Sequence, residues 1–198
     1  MPGRFRHSWL LFPLPFLLSC GGPADPADPC GPYPPHASSP YILPFQPGRS
    51  FVLGQGNCSD GSHRAGSPVA YAYDFLMPVG TALVAARSGT VVALEEQYLD
   101  GDHTPGHENF VDIRHADGTE AQYVHLTRNG VLVDVGDTVP QGAVIGFSGN
   151  TGDSSEPHLH FHLLSDSAPT TIPVTFRNAQ PPADRLVAGR TYTAGPVP

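Results

Sequence analysis

The sequence predicts an all-β fold, an antiparallel two-sheet sandwich or open barrel. Its 198 residues include 22 Gly and 23 Pro, a composition that disfavours long helices. From about residue 40, short runs rich in Val, Ile, Tyr and Phe alternate with Gly, Asp-Gly and Asn-Gly, which are turn signals. No segment of a dozen residues carries an apolar stripe at helical spacing. Short strands joined by tight turns are therefore expected, with little helix.

Five runs carry the predicted strands. "HADGTE", residues 115–120, marks a hairpin because Asp-Gly favours the left-handed turns that join antiparallel strands. The C-terminal stretch from residue 172 is expected to add one strand. The five runs are "RSFVLGQG" (49–56), "VAYAYDFLM" (69–77), "TALVAARSGTVVALEEQ" (81–97), "NFVDIRHADGTEAQYVHL" (109–126) and "AVIGFSG" (143–149).

The first 19 residues are typical of a secretory signal. Arg4 and Arg6 precede an apolar run over residues 9–18, which is too short and too rich in Pro to span a membrane. The ending "LLSC" resembles the lipobox of bacterial lipoproteins, in which the Cys is lipidated. Cleavage before Cys20 and a lipid on that residue are therefore expected. The alternative is an ordinary signal peptide that happens to contain a Cys.

The rest of the chain divides into a tether and a domain. Residues 20–38 repeat "PAD" without apolar periodicity, which predicts a Pro-rich tether, and residues 39–198 form the predicted domain. Cys30 and Cys58 remain after lipidation. Because an exported protein meets an oxidising environment, these two cysteines can pair, and two free thiols are the alternative.

The charge of the chain argues against nucleic acid as a partner. All ten residues counted as Lys or Arg are Arg, and the net charge is -8. A chain without a basic patch lacks the electrostatic footprint that nucleic-acid binding requires. The absence of Lys also rules out a biotinyl or lipoyl carrier, although "VDVGDTVPQGAVIG" resembles part of such a domain.

The segment "PHLHFHL", residues 157–163, is the main candidate for chemistry. In a strand, alternate side chains share a face, so His158, His160 and His162 point the same way and Leu159 and Phe161 point to the other side. Three buried imidazoles are costly unless they bind something. Neutral imidazole is a common zinc ligand, and a catalytic zinc site uses three protein ligands and a water.

Two residues upstream of this segment are further candidate ligands. His63 lies in the polar loop 57–67, and Asp74 interrupts an apolar run, where it needs a metal or a hydrogen-bond partner. His125, in "QYVHL", is expected to share a face with Tyr123, and a satisfied core histidine is the alternative for it.

The remaining histidines are expected to lie outside the site. His103 and His107 fall in a loop rich in Gly and Pro, where helical spacing does not apply. His115 precedes the Asp-Gly turn and is expected to face solvent. His162 is interpreted as a strand-edge residue, and its replacement by Ala is expected to do little.

Together these residues resemble the lysostaphin-like zinc endopeptidases, the M23 peptidases. The resemblance covers roughly residues 40–193 and runs in order through His63, Asp74, "YVHL" and "HLHF". One feature departs from the commonest pattern, His-x3-Asp, because ten residues separate His63 from Asp74 here. The intervening similarity includes "MPVGTALVAARSGTVVA" and "VDVGDTVPQGAVIGFSGNTGDSSEPHLHF".

The resemblance implies a role for each residue. It implies that His63, Asp74 and His160 bind Zn²⁺ and that His125 and His158 are the catalytic pair, one of which takes a proton as general base. It implies a zinc-dependent endopeptidase that hydrolyses peptide amide bonds in peptidoglycan. The alternative is a non-catalytic relative that binds the cell wall or activates another hydrolase. The sequence leaves open the oligomeric state and the cross-link that is cleaved.

The expected location follows from the signal and the lipobox. An exported chain lipidated on Cys20 is a cell-envelope lipoprotein. Gly21 does not resemble an inner-membrane retention signal. The expected location is therefore the outer membrane, with the domain facing the periplasm.

Overall fold

A computed structural model describes residues 30–166 and 168–197, without the side chains of residues 168 and 169. The predicted signal segment, Cys20 and the tether up to residue 29 lie outside these residues. Within them, no helix is long and apolar enough to cross a membrane. Two short 3-10 helices cover His36–Ser38 and Gly61–His63. The strands are β1 (Ser50–Gln55), β2 (Tyr73–Leu76), β3 (Ala82–Val84), β4 (Gly89–Glu95), β5 (Phe110–Arg114), β6 (Thr119–Val124), β7 (Leu126–Val131), β8 (Thr138–Val139), β9 (Val144–Ser148), β10 (His158–Ser165), β11 (Ala168–Ile172), β12 (Ala179–Gln180) and β13 (Thr191–Ala194).

The strands form two antiparallel sheets, which confirms the predicted fold class. The large sheet has the order β12-β13-β1-β2-β10-β6-β5-β4-β8, and β11 also pairs with β10. The small sheet has the order β3-β9-β7. β10, which carries the histidine motif, therefore lies in the middle of the large sheet between β2 and β6.

The predicted runs and the strands agree at most positions. The hairpin at residues 115–120 joins β5 to β6, and Gly118 supplies its left-handed backbone with a φ of 83°. "VAYAYDFLM" contains a shorter strand than its composition suggests, because residues 68–71 form turns before β2. The prediction of one C-terminal strand is wrong. Two strands, β12 and β13, lie there, and β13 pairs with β1 in the large sheet.

One face of the large sheet packs into the core. Tyr73 and Phe75 of β2 and Leu159 and Phe161 of β10 are fully buried there. The small sheet covers this face, because its residue Leu83 belongs to the same apolar cluster. The other face carries the polar side chains that alternate with these residues. Strand alternation thus separates the core from the chemistry.

Residues 30–38, the end of the predicted tether, lie against the domain. Cys30 forms a disulfide with Cys58, as the sequence suggested. His36 Nδ1 lies 2.6 Å from Asp184 Oδ1, and the Arg185 guanidinium lies 5.9 Å from the centre of the Tyr33 ring. The disulfide joins this segment to the loop that contains His63. The tether boundary at residue 38 stays a prediction.

Candidate metal centre

A cleft of about 520 Å³ opens on the polar face of the large sheet. All three histidines of the motif line it, so the prediction that they share one face is confirmed. The cleft is lined by Gln55, Ser62, Val69, Asp74, Glu108, Phe110, Gln122, Val124, His125, Asp153, Ser154, Ser155, His158, His160 and His162.

The pairing of β2 with β10 brings Asp74 to the motif. Asp74 is the antiparallel partner of His160, so both side chains project from adjacent strands on the same face. The distance between His160 Nδ1 and Asp74 Oδ1 is 2.8 Å. Tyr73 and Phe75 point into the core, so Asp74 between them projects from the opposite face into the cleft.

His63 reaches the same point from a loop. It ends the 3-10 helix between β1 and β2 and is fully buried. Its Nε2 lies 3.4 Å from Asp74 Oδ2 and 3.4 Å from His160 Nδ1. The donor atoms of these three residues all lie within 4.8 Å of one another. The long spacing between His63 and Asp74 therefore does not prevent their convergence.

His125 enters the cleft because the backbone turns between β6 and β7. Its φ of 67° is left-handed, which is uncommon for a residue other than Gly. The prediction that Tyr123 and His125 share a face is wrong for this reason. Tyr123 is buried in the core, where its hydroxyl accepts a hydrogen bond of 2.7 Å from the amide of Ala86. A strained backbone at a cleft residue is typical of functional sites.

His125 and His158 lie side by side, with a distance of 4.6 Å between their ring centres. His125 Nδ1 lies 2.7 Å from the carbonyl oxygen of Thr151, and His158 Nδ1 lies 2.8 Å from that of Glu156. Because a carbonyl oxygen can only accept, each ring donates a proton from Nδ1, so a ring that carries a single proton has an unprotonated Nε2. His158 Nε2 lies 3.7 Å from Asp74 Oδ1.

The donor atoms form two possible metal-binding groups that share one residue. One group is His63, Asp74 and His160, and the other is His125, His158 and His160. Each contains three side chains of the types that bind zinc, the number that a catalytic site uses.

Comparison with protein families identifies the chain. The model of "Peptidase family M23" matches residues 69–171, more than half of the sequence. The chain belongs to peptidase family M23. The match includes Asp74, His125 and the histidine motif. The expected resemblance is therefore confirmed at the level of the family.

The M23 chain is similar to named peptidoglycan enzymes over about half of its length. It is 36% identical over 96 residues to peptidoglycan DD-endopeptidase ShyA of Vibrio cholerae, which covers 48% of this chain and 20% of ShyA. It is 39% identical over 98 residues to lysostaphin of Staphylococcus simulans, which covers 49% of this chain and 18% of lysostaphin. The chain thus spans about a fifth of the length of these relatives.

A solved structure shares the fold. It is described as "A Novel M23 Metalloprotease Pseudoalterin from Deep-sea". The two structures match with a TM-score of 0.51 and 20% sequence identity, and the match covers 72% of this chain and 81% of pseudoalterin.

The electrostatics of this M23 site favour a bound cation. Burial raises the pKa of Asp74, but the hydrogen bond and charge of His160, with the charge of His63, hold it below its ordinary value. Burial lowers the pKa of His63, and burial beside His158 lowers the pKa of His125 to about 4. At neutral pH the site therefore presents an ionised carboxylate at Asp74 and neutral imidazoles at His63 and His125. These are the protonation states in which such groups bind a metal.

The sequence placed two histidines wrongly. His162 is buried, and its Nδ1 lies 3.0 Å from His160 Nε2, so it is not a peripheral strand-edge residue. Strand alternation places His162 on the same face as His158 and His160, so the sequence pattern could have predicted that it lies in the cleft. His115 is buried and does not face solvent, because it lies under the Tyr41 ring with Nδ1 3.0 Å from the carbonyl oxygen of Ser88.

His103 and His107 lie in the loop between β4 and β5, as expected. His103 is exposed, and His107 Nδ1 lies 2.8 Å from Asp102 Oδ2. Neither belongs to a metal-binding group among the described residues.

Proposed function

We propose that the chain is a zinc-dependent endopeptidase that hydrolyses peptide amide bonds in peptidoglycan. The observation that carries this proposal is the convergence of the donor atoms of His63, Asp74 and His160 within 4.8 Å, in a cleft that also holds the imidazoles of His125 and His158. Membership of family M23 supports the peptidase activity. The names of the relatives, a peptidoglycan DD-endopeptidase and lysostaphin, support the substrate.

The metal ligands are His63, Asp74 and His160. Asp74 supports this group over the other, because a buried ionised carboxylate needs a cation or a full set of donors to compensate its lost hydration. A metal held by His125, His158 and His160 would leave Asp74 outside the coordination. A metal held by His63, Asp74 and His160 neutralises it and leaves His125 and His158 free for proton transfer. Imidazole and carboxylate ligands fit Zn²⁺.

The catalytic residues are His125 and His158. When bound, Zn²⁺ polarises a carbonyl group and lowers the pKa of a coordinated water to about 7. The unprotonated Nε2 atom of His125 or His158 takes a proton as the nucleophile attacks. The resulting imidazolium stabilises the developing oxyanion and passes the proton to the leaving amine. The carbonyl oxygens of Thr151 and Glu156 hold the two rings in the required tautomer.

The test is digestion of purified peptidoglycan by the mature protein, read by mass spectrometry of the soluble fragments. We expect new peptide termini, loss of the activity with a chelator, and recovery when Zn²⁺ is added. His158→Ala is the inactive control, and His107→Ala, outside the cleft, is the active control. A zinc-loaded protein that binds peptidoglycan but releases no fragment would identify a cell-wall-binding or hydrolase-activating relative instead.

We further propose that the protein is exported and anchored in the outer membrane through a lipid on Cys20, facing the periplasm. The lipobox-like "LLSC" and the cell-wall substrate support this location. Stable anchoring takes two or more acyl chains, as one chain holds only weakly. Cys20→Ser should move the protein from the membrane fraction to the soluble fraction. A variant that stays with the membranes contradicts the lipid anchor.

A further inference from the structure

We propose that His162 is a positioning residue that holds His160 for the metal through a hydrogen bond between the two rings. The inference rests on the proposed metal site. The distance between His160 Nε2 and His162 Nδ1 is 3.0 Å, and the two ring planes are 78° apart. His162 is 5% exposed, so water does not readily replace this contact.

The hydrogen bond leaves one nitrogen of His160 for the ligand group. Nδ1 faces Asp74 at 2.8 Å and His63 at 3.4 Å, whereas Nε2 faces His162. Histidines that bind metals commonly donate their second ring N–H to an acceptor, which fixes the tautomer and the ring orientation. The partner here is a third imidazole from the same strand.

An imidazole suits this position because it can reverse the direction of the bond. Without metal, a His160 ring that carries one proton and donates it from Nδ1 to Asp74 accepts at Nε2 from the Nδ1–H of His162. A metal on His160 Nδ1 requires that nitrogen to be unprotonated. The His160 proton then lies on Nε2 and is donated to Nδ1 of His162, whose own proton moves to Nε2. The hydrogen bond between the two rings is kept, and the number of protons on them is unchanged.

The side chain that faces His162 from the neighbouring strand has a hydrogen-bond partner of its own. Gln122 of β6 is the antiparallel partner of His162 in the sheet. Its amide nitrogen donates to Asp112 Oδ2 at 2.9 Å, so at least one of its two N–H groups is directed at that carboxylate and away from His162.

The first test compares His162→Asn with His162→Leu. The two side chains have nearly the same shape, but only Asn keeps a polar atom close to the position of Nδ1. We expect His162→Leu to weaken Zn²⁺ affinity by about 10–100-fold, the usual effect of losing such a partner, and His162→Asn to restore most of it. Affinity is measured by competition with a chelator, and the Tm of the metal-free protein is measured in parallel.

The matched controls are His115→Asn and His115→Leu. His115 is also a buried histidine, but its Nδ1 bonds the carbonyl oxygen of Ser88, and it belongs to no metal-binding group of the described residues. These controls should change Tm without changing Zn²⁺ affinity. Wild-type affinity in His162→Leu overturns the inference and leaves the proposed function intact. Equal weakening in Asn and Leu overturns it too, because it shows a packing role.

The second test needs no substitution. NMR of the ring nitrogens in the wild-type protein should show the protons of His160 and His162 on Nδ1 without metal and on Nε2 after Zn²⁺ is added. A His162 tautomer that does not change on addition of Zn²⁺ overturns the inference even if His162→Leu fails to fold. A wild-type protein that binds no Zn²⁺, or a His160→Ala variant with wild-type affinity, overturns the proposed function and this inference with it.

Discussion

Two regions of the molecule contain a histidine next to a carboxylate at the same distance. In the cleft, His160 Nδ1 lies 2.8 Å from Asp74 Oδ1, and in the loop between β4 and β5, His107 Nδ1 lies 2.8 Å from Asp102 Oδ2. The cleft side chains are each 13% exposed, whereas those of His107 and Asp102 are 41% and 30% exposed. The Tyr98 ring stacks on His107 with 4.3 Å between the ring centres.

The difference between these regions lies in what surrounds each pair. His107 and Asp102 in the loop are five positions apart in sequence, form a hydrogen bond with each other and remain in contact with water. In the cleft, a third donor, His63, arrives from another loop and competes for the same space. Burying an imidazole or a carboxylate away from water costs free energy unless the group has a partner. Several buried donor atoms that converge on one point therefore indicate a bound cation. A short histidine–carboxylate distance does not indicate one by itself.

The largest expected effect comes from removing a donor of the cleft group. His63→Ala, Asp74→Ala and His160→Ala each leave two protein ligands, too few for a stable three-ligand site. Each variant should lose both bound Zn²⁺ and peptidoglycan hydrolysis. Elemental analysis and fragment release measure the two losses. Asp102→Ala is the matched control in the loop and should keep both; loss of Zn²⁺ there would remove the distinction between the regions.

The next effect separates ligand from catalyst within the cleft. His125→Ala and His158→Ala should keep near-stoichiometric Zn²⁺, while the rate of hydrolysis falls by about 10²–10⁴-fold, the usual contribution of a proton-transfer group. Metal content and rate are measured on the same preparations. If these variants lose their Zn²⁺ and His63→Ala keeps it, the metal is bound by the group of His125, His158 and His160.

A third carboxylate, the buried Asp112, sharpens the comparison, because no histidine of the described residues converges on it. Burial and the charge of Glu120 raise the pKa of Asp112 to about 7, against the lowering effect of the Gln122 hydrogen bond, and Oδ1 has no hydrogen-bond partner. The folded state therefore binds more protons than the unfolded state between about pH 4 and pH 7. Stability falls as the pH rises through that window.

Asp112→Asn should remove this pH dependence. Relative to the wild type, we expect the variant to gain stability between pH 4 and pH 8, by at most about 4 kcal/mol, since one pKa unit corresponds to about 1.4 kcal/mol. Urea unfolding of both metal-free proteins at the two pH values measures the difference. A constant difference at the two pH values would show that Asp112 ionises normally.

The smallest effect is expected in the loop. Asp102→Asn removes the carboxylate charge from an exposed hydrogen-bonded contact that water and salt already screen, so Tm should hardly change. His107 keeps its stacking contact with Tyr98 in this variant. Thermal unfolding at low and high salt measures the effect. A large fall in Tm would mean that this pair holds the loop more firmly than its exposure indicates.

The sequence alone determined the features that depend on neighbouring residues. Alternation along residues 157–163 placed Leu159 in the core and His158 and His160 in the cleft, because successive side chains of a strand point to opposite faces. The Asp-Gly turn predicted the β5–β6 hairpin because its backbone requirement is local.

Tertiary structure decided the features that depend on distant residues or on a single dihedral angle. The pairing of β2 with β10 placed Asp74 beside His160, 86 residues away in sequence. A left-handed φ at His125 turned that side chain away from the face of Tyr123, and no local residue type signals this angle. His115 is buried by Tyr41, which comes from a distant segment. Local pattern predicts which face a strand residue takes, whereas the partner it meets there depends on how distant strands pair.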